Sequence, residues 1–375
     1  MSRSYCLLPI IIYLFFMSGC SSEATKDPAI DYSELPLINT EKEFSISASD
    51  DFIPALITRI MVAENGDILV SQRSDRTITQ FDSLGNYIAR VAGPGRGPGE
   101  LSEYPNPHFN GQILVMSNNH GMLTEYQPNK EGIFEYTTDY TFRLPGPMRG
   151  IRSEKDFSSF YVQVDSARTP FGTIPPEFTT DLVHLVKVVA DTLQVKESIL
   201  SLRKHSAFIE ISDNGNRMSY EYLPYRYNDY FTPLENQKIL VARTGESLIQ
   251  IYDKNLQVEH EVKLDVKDRF ITEADMEYHF PELSRTERRD RRKLIKDIKP
   301  PFTGVILDDQ DRFWIWTDET QEGKEMVILN YEGTPLGRML LPSESSLQAI
   351  SNGKLYTVNR ESETTIEAYS VSFSN

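Results

Sequence analysis

Residues 66–75 read GDILVSQRSD: a turn glycine, an apolar run from Ile68 to Val70, then a polar cluster. A run this short, punctuated at both ends, describes a buried β-strand rather than a helix. The same order returns as GQILVMSNNH, SSFYVQVDSA, QKILVARTGE, DRFWIWTDET and GKLYTVNRES. Their first apolar residues, Ile68, Ile113, Phe160, Ile239, Phe313 and Leu355, are separated by 45, 47, 79, 74 and 42 positions. A four-stranded propeller blade takes about 40–50 residues, so three intervals hold one blade each and two hold a blade plus an insertion of about 30 residues.

A second strand-and-turn pattern comes after each run except the last. ITQFDSLGNYI, LTEYQPNKEGIF, LVKVVADTLQV, IQIYDKNLQV and VILNYEGTPLGRML each combine a third strand, a tight turn and an outer fourth strand. Gly85-Asn86, Asn129 to Gly132 and Glu332-Gly333 supply the positive φ angles that such turns require. An inner strand precedes each main run, as ALITRIMVA does at 55–63. The last unit has only three strands, SLQAIS, KLYTVN and TTIEAYSVSF, while PLINTEKEFSISA at 36–48 alternates like a strand and has no blade of its own. The expected fold is therefore an all-β, six-bladed β-propeller of four-stranded antiparallel blades, closed by an N-terminal strand that removes an exposed sheet edge. A seventh, degenerate blade between Phe160 and Ile239 stays open.

The glycines of RVAGPGRGPGEL, residues 90–101, invite a phosphate-loop reading that their spacing refuses. Counted from Gly93, the third glycine of G-x-G-x-x-G falls on Pro98; counted from Gly95, it falls on Glu100; no Lys-Ser or Lys-Thr comes after. The stretch reads instead as a crossing from blade 1 to blade 2, with Arg96 and neighbouring N–H groups placed to meet an acidic group.

Arg3, the apolar run CLLPIIIYLFF and the small residues before Cys20 compose a secretory signal, too short and sharply ended for a spanning helix. MSGCSS resembles the bacterial lipobox, which implies a signal over 1–19 and acylation of Cys20. Polar residues 20–35 then form a lipidated flexible tether, and 36–375 the propeller. The only other cysteine, Cys6, lies in the signal, so no disulfide is expected in the mature chain. A formal net charge of -16 argues against nucleic-acid partners.

GDILV with GRGPGEL at 95–101 resembles the NHL-type repeat, and the whole layout is similar to the six-bladed β-propeller lipoproteins of Gram-negative bacteria. The likeness spans the mature chain, with the glycine motif complete only in blade 1. It implies a monomer held by lipid in the cell envelope, at the outer membrane in preference to the inner, with the domain periplasmic or surface-exposed.

Antiparallel blades put the second-to-third loops and the blade-to-blade loops on one face. All three long insertions, 166–180, 203–231 and 267–301, fall there, and long loops on a rigid scaffold are where binding residues concentrate. The insertion between blades 4 and 5 is expected to be helical, with Thr272 and Asp275 as an N-cap pair and Ser284 and Glu287 as a capping box opening RTERRDRRKLIKDI. Its basic residues read as an anion or lipid-headgroup patch or as a solvated face pairing with the acidic propeller. Tyr222, Tyr225 and Tyr227 could stack on a sugar or anchor a peptide, or pack the loop onto its scaffold. Arg73, Asp75, Asn118, Asp165, Arg243, Asp318 and Arg360, at or near the ends of second strands, could ring the channel mouth or satisfy loop backbone groups. Together these favour a non-catalytic binding or scaffold lipoprotein that meets an envelope protein, peptide or glycan, with no cofactor. The rival is a lactonase-like hydrolase or lyase with a divalent cation in the central channel, for which His108 and His120 are the weak candidates.

Overall fold

The computed structural model describes residues 29–373 except 103, 105, 118–121, 143–147, 154–158, 166–177, 190–191, 206–207, 212–217, 222 and 235–237. Strand β1 (Asn39–Ile46) comes first in sequence and last in its sheet. Blade 1 is β2 (Ile57–Val62), β3 (Ile68–Gln72), β4 (Thr77–Phe81) and β5 (Tyr87–Ala92). Blade 2 is β6 (Asn106–Phe109), β7 (Leu114–Ser117), β8 (Met122–Pro128) and β9 (Phe134–Phe142). Blade 3 is β10 (Met148–Ser153), β11 (Ser159–Asp165), β12 (Phe178–Val189) and β13 (Thr192–His205), and a separate hairpin comes next, β14 (Phe208–Ile211) and β15 (Met218–Glu221). Blade 4 is β16 (Asp229–Pro233), β17 (Ile239–Arg243), β18 (Leu248–Tyr252) and β19 (Val258–Lys263). Two helices, α1 (Glu273–His279) and α2 (Arg285–Arg292), precede blade 5, which is β20 (Gly304–Leu307), β21 (Phe313–Thr320), β22 (Gly323–Leu329) and β23 (Pro335–Leu341). Blade 6 is β24 (Ser345–Ser351), β25 (Lys354–Asn359), β26 (Thr365–Ser372) and, across the ring, β1.

The molecule is thus a six-bladed β-propeller, and no seventh blade lies between Phe160 and Ile239 among the described residues. That interval holds instead the unusually long β12 and β13 and the β14–β15 hairpin. First strands of successive blades, such as β2 beside β24, face the axis, while fourth strands such as β5 and β19 are more exposed than the second strands. Second strands lie between, which is why GDILVSQ is buried at every position from Ile68 to Gln72.

Apolar residues from neighbouring blades meet in separate clusters. Leu240, Ile249 and Ile251 of blade 4 pack on Phe313, Ile315 and Val327 of blade 5; Ile60, Val70 and Phe81 of blade 1 pack on Tyr356, Val358 and Ile366 of blade 6. Each such side chain contributes about 1.5–3 kcal/mol, so the ring is held by blade-to-blade burial as well as by its ladders. β1 pairs antiparallel with β26 from Asn39 opposite Ser372 to Ile46 opposite Ile366, fastening the end of the chain to its beginning.

One turn recurs between third and fourth strands. The Asp82 side chain accepts from the Leu84 and Asn86 N–H groups while Gly85, at φ 85°, donates its N–H to the Asp82 carbonyl. Asn129, Asp253 and Asn330 open the same turn in blades 2, 4 and 5. Glycine marks the turn in the sequence; the asparagine or aspartate that starts it is the more regular element, because an Asx side chain can replace the backbone acceptor the turn leaves out.

Residues 29–38 dock onto the propeller, which narrows the tether expected from sequence. Ile30 bridges Val266 in parallel, with its N–H donating to Asp265 O at 2.7 Å, and Leu37 bridges Arg338. Tyr32 is 2% exposed in the cluster between blades 4 and 5. Ile30, Tyr32 and Leu35 seat the segment against that cluster, and Ile38 packs into the cluster of blades 5 and 6.

Candidate functional site

Both expected caps form in the insertion between blades 4 and 5. The Thr272 hydroxyl accepts from the Asp275 N–H while the Asp275 carboxylate accepts from Thr272, and Ser284 and Glu287 repeat the arrangement for α2. The second helix stops at Arg292, short of the sequence expectation. Beyond it the chain turns back: the Ile271 N–H donates to Asp297 O and the Lys299 N–H to Arg269 O, so Ile298 pairs with Phe270 instead of extending the helix. Leu223, Tyr225, Ile271, Met276, Phe280 and Ile295 form an apolar core beneath the insertion.

That return brings Lys299 into a buried ionic cluster. Its ammonium lies 2.7 Å from Asp275 Oδ1 and 2.7 Å from Asp318 Oδ2, with the lysine and Asp275 side chains 7% and 6% exposed. The Tyr225 hydroxyl sits 3.1 Å from Asp275 Oδ1 and 3.2 Å from Asp318 Oδ1, sharing one donor between them. Arg269 adds a second cation 3.8 Å from Asp318, and its guanidinium lies over the ring of Tyr32. Burial alone raises the Asp275 carboxyl; the Lys299 ammonium and the Thr272 N–H and hydroxyl outweigh it and hold the group below the usual carboxylate range. For Tyr225, burial and then the charges of Asp318 and Asp275 push the phenol well above its ordinary value.

Above the cluster opens a cleft of about 410 Å³ whose lining includes Tyr225, Tyr230, His279, Trp316, Asp318 and Lys324. His279 stands edge-on to the Tyr225 ring at 5.1 Å, and its Nε2 is buried with no hydrogen-bond partner among the described residues. Burial depresses its pKa below the usual histidine value, against the raising influence of Glu319, Asp275 and Asp318. Trp316 and Tyr230 are half-buried, so their ring faces remain part of the wall. Aromatic faces, cations and carboxylates around one concavity can hold a polar chain by stacking and by hydrogen bonds of either sense.

Among the candidates read from sequence, Tyr225 and Asp318 meet at this cleft. Tyr227 lies behind it, donating its hydroxyl to Ile298 O at 2.7 Å beneath the Lys296 ammonium. The others are dispersed. Arg73 stacks on Tyr104 at 4.4 Å, Asp75 accepts from the Thr77 hydroxyl, Arg243 pairs with Asp229 at 3.1 Å, and Arg360 reaches Ser346 Oγ at 3.0 Å. Arg96 is exposed on the glycine crossing, where the Glu100 carboxylate accepts the Gly97 N–H at 2.7 Å. Asp165 ends β11 opposite Asp181. Cys20, Asn118, His120 and Tyr222 lie outside the described residues. His108 is buried in β6 with its Nε2 2.9 Å from Ser117 Oγ, and among the described residues no three His, Cys, Asp or Glu side chains are grouped to hold a metal ion.

Likenesses to known proteins are structural. No family model matches the chain, and no curated protein matches it. A putative exported protein from Bacteroides fragilis NCTC 9343 superposes with a TM-score of 0.52 at 10% identity, covering 92% of this chain and 96% of its own. A duf4221 family member from Bacteroides vulgatus ATCC 8482 gives a TM-score of 0.51 at 12% identity over 92% of this chain and 100% of its own. At that identity the likeness is one of fold, and the site rests on this chain's own residues.

Sequence reasoning missed His279 and Trp316. Trp316 was visible in DRFWIWTDET as the aromatic two residues before Asp318, where a strand leaves the core. His279 carried no signal, since its place depends on how α1 docks.

Proposed function

We propose that this protein is a non-catalytic binding lipoprotein of the bacterial cell envelope, anchored at the outer membrane through Cys20, that takes a peptide or glycan chain in the cleft on the insertion-bearing face. The cleft carries the reading: Trp316 and Tyr230 offer stacking faces beside Lys324 and Asp318, next to the helical insertion between blades 4 and 5. The buried Lys299 cluster beneath it keeps Tyr225 and Asp318 in place, so little ordering remains for a ligand to drive.

Binding of defined oligosaccharides and peptides to the purified protein, compared with Trp316→Ala, tests it. Saturable binding weakened about tenfold or more, the scale of one lost stacking contact, supports the cleft. Unchanged binding in Trp316→Ala and Lys324→Ala moves the site elsewhere, and chemical conversion of a bound ligand overturns the non-catalytic assignment. Anchoring is read separately, from the mass of the mature chain and its release from membranes in Cys20→Ala.

A further inference from the structure

A second cleft, of about 430 Å³, lies between α1 and α2 on the same face. Arg285, Arg288, Arg289 and Arg292 form its wall, and Ile271 and Met276 its apolar floor. α2 carries five arginines against two carboxylates, in a chain whose net charge is -16. Internal partners take up part of this charge: Arg292 pairs with Asp297 at 2.8 Å, and Arg288 lies 3.7 Å from Glu277. Arg285 pairs with Glu273 only at the surface, where both side chains are more than half exposed, and such pairs are weak. Arg288 gives one N–H to Leu283 O while its Nε is buried without a hydrogen-bond partner among the described residues. Arg289 is exposed and makes no ion pair among the described residues.

The position of the tether root says what covers this cleft. Tyr32 lies under the Arg269 guanidinium, and Ile271, in the cleft floor, is two residues further along. Position 29 is nine residues beyond Cys20, a stretch that spans at most about 30 Å when extended. We infer that the α1–α2 cleft is a membrane-docking site that receives the phosphate of an anionic glycerophospholipid headgroup, with the arginines on the phosphate and the apolar floor against the glycerol and upper acyl chain. This rests on the anchoring proposed above, which holds the cleft within reach of the bilayer; guanidinium groups suit phosphate because they donate in a bidentate fork. Docking by α2 turns the insertion face toward the membrane that carries the lipid anchor.

The test uses the whole chain carrying Cys20→Ala, so that no acyl group contributes. Phosphatidylcholine vesicles with and without phosphatidylglycerol are compared in co-sedimentation, for this protein, for Arg289→Glu, and for Lys293→Glu, which makes the same charge change beside the cleft. Unaltered melting of both exposed-site variants controls for folding. Binding that depends on phosphatidylglycerol and falls about tenfold in Arg289→Glu, against about threefold or less in Lys293→Glu, is expected, since a basic residue near an anionic surface contributes about 1 kcal/mol. Equal losses in the two variants, or no preference for phosphatidylglycerol, overturn the site. Inorganic phosphate that binds in an Arg289-dependent way without any vesicle preference assigns the cleft to a soluble phosphate and overturns the membrane. A mature chain without acyl groups would refute the anchoring while leaving this comparison readable.

Discussion

Lys299 holds two carboxylates that would otherwise be buried next to each other, and it arrives by a chain reversal that ends α2 early. Removing one partner of such a cluster strands the rest, so Lys299→Met is expected to lower stability by about 3–5 kcal/mol in urea unfolding. The triple change Lys299→Met, Asp275→Asn, Asp318→Asn should recover much of that loss; if it does not, packing and not charge governs the site. His279 makes a separate prediction. Its folded pKa is depressed by burial, so the unfolded chain binds its proton more readily as pH falls. The contribution is full above the unfolded value near 6.5, declines as pH falls from there toward the folded pKa, and is constant below it. His279→Gln should flatten the stability profile in that window, and an unchanged slope between pH 7 and the folded pKa would show that other groups set it. None of this was legible from sequence, because Asp275, Lys299 and Asp318 meet only through the tertiary return at 293–299.

Elements were far more legible than contacts. The strands announced themselves because second strands such as β3 open on a fully buried apolar run, Ile68 to Val70, and because turn chemistry repeats at third-to-fourth connections. The helix caps were also readable, since an N-cap is a local four-residue arrangement. The end of α2 was not, because it is decided by Ile298 pairing with Phe270. The glycine crossing shows both sides. Its glycines marked a reversal correctly, but Gly99, at φ 73° with its Cα against the Tyr136 side chain, has a role that only packing discloses. A Cβ there would meet Tyr136 Cβ at 2.6 Å in a backbone region that disfavours side chains, so Gly99→Ala is expected to cost about 2 kcal/mol or more. Gly93→Ala, with φ outside that region and no contact closer than 3.6 Å, should leave the unfolding midpoint nearly unchanged; equal losses at the two positions would mean that flexibility matters more than fit.

At the scale of the whole molecule, ring closure and the proposed anchoring share the N-terminal segment. β1 completes blade 6 through β26, and residues 29–38 lie across blades 4 and 5, so the segment that leads to the proposed lipid also clamps three blades. Motion at the proposed tether is therefore resisted by the Ile30 bridge to Val266 and by Tyr32, whose ring fills the cluster between blades 4 and 5 while its hydroxyl is buried without a hydrogen-bond partner among the described residues. Two substitutions separate these features. Tyr32→Ala empties a packed site and is expected to lower stability by about 3–5 kcal/mol, the range of large aromatic truncations. Tyr32→Phe keeps the ring and removes a buried unsatisfied hydroxyl, so it should hold stability or raise it by about 1 kcal/mol. Lys267→Ala, which breaks only the exposed pair with Asp31, should not move the unfolding midpoint. Urea unfolding of the three variants, with protease cleavage before residue 39 as a second readout, would show Tyr32→Ala alone freeing the segment. If Tyr32→Phe is as damaging as Tyr32→Ala, the hydroxyl and not the ring seats the chain, and the N-terminal clamp depends on polar bonding instead of burial.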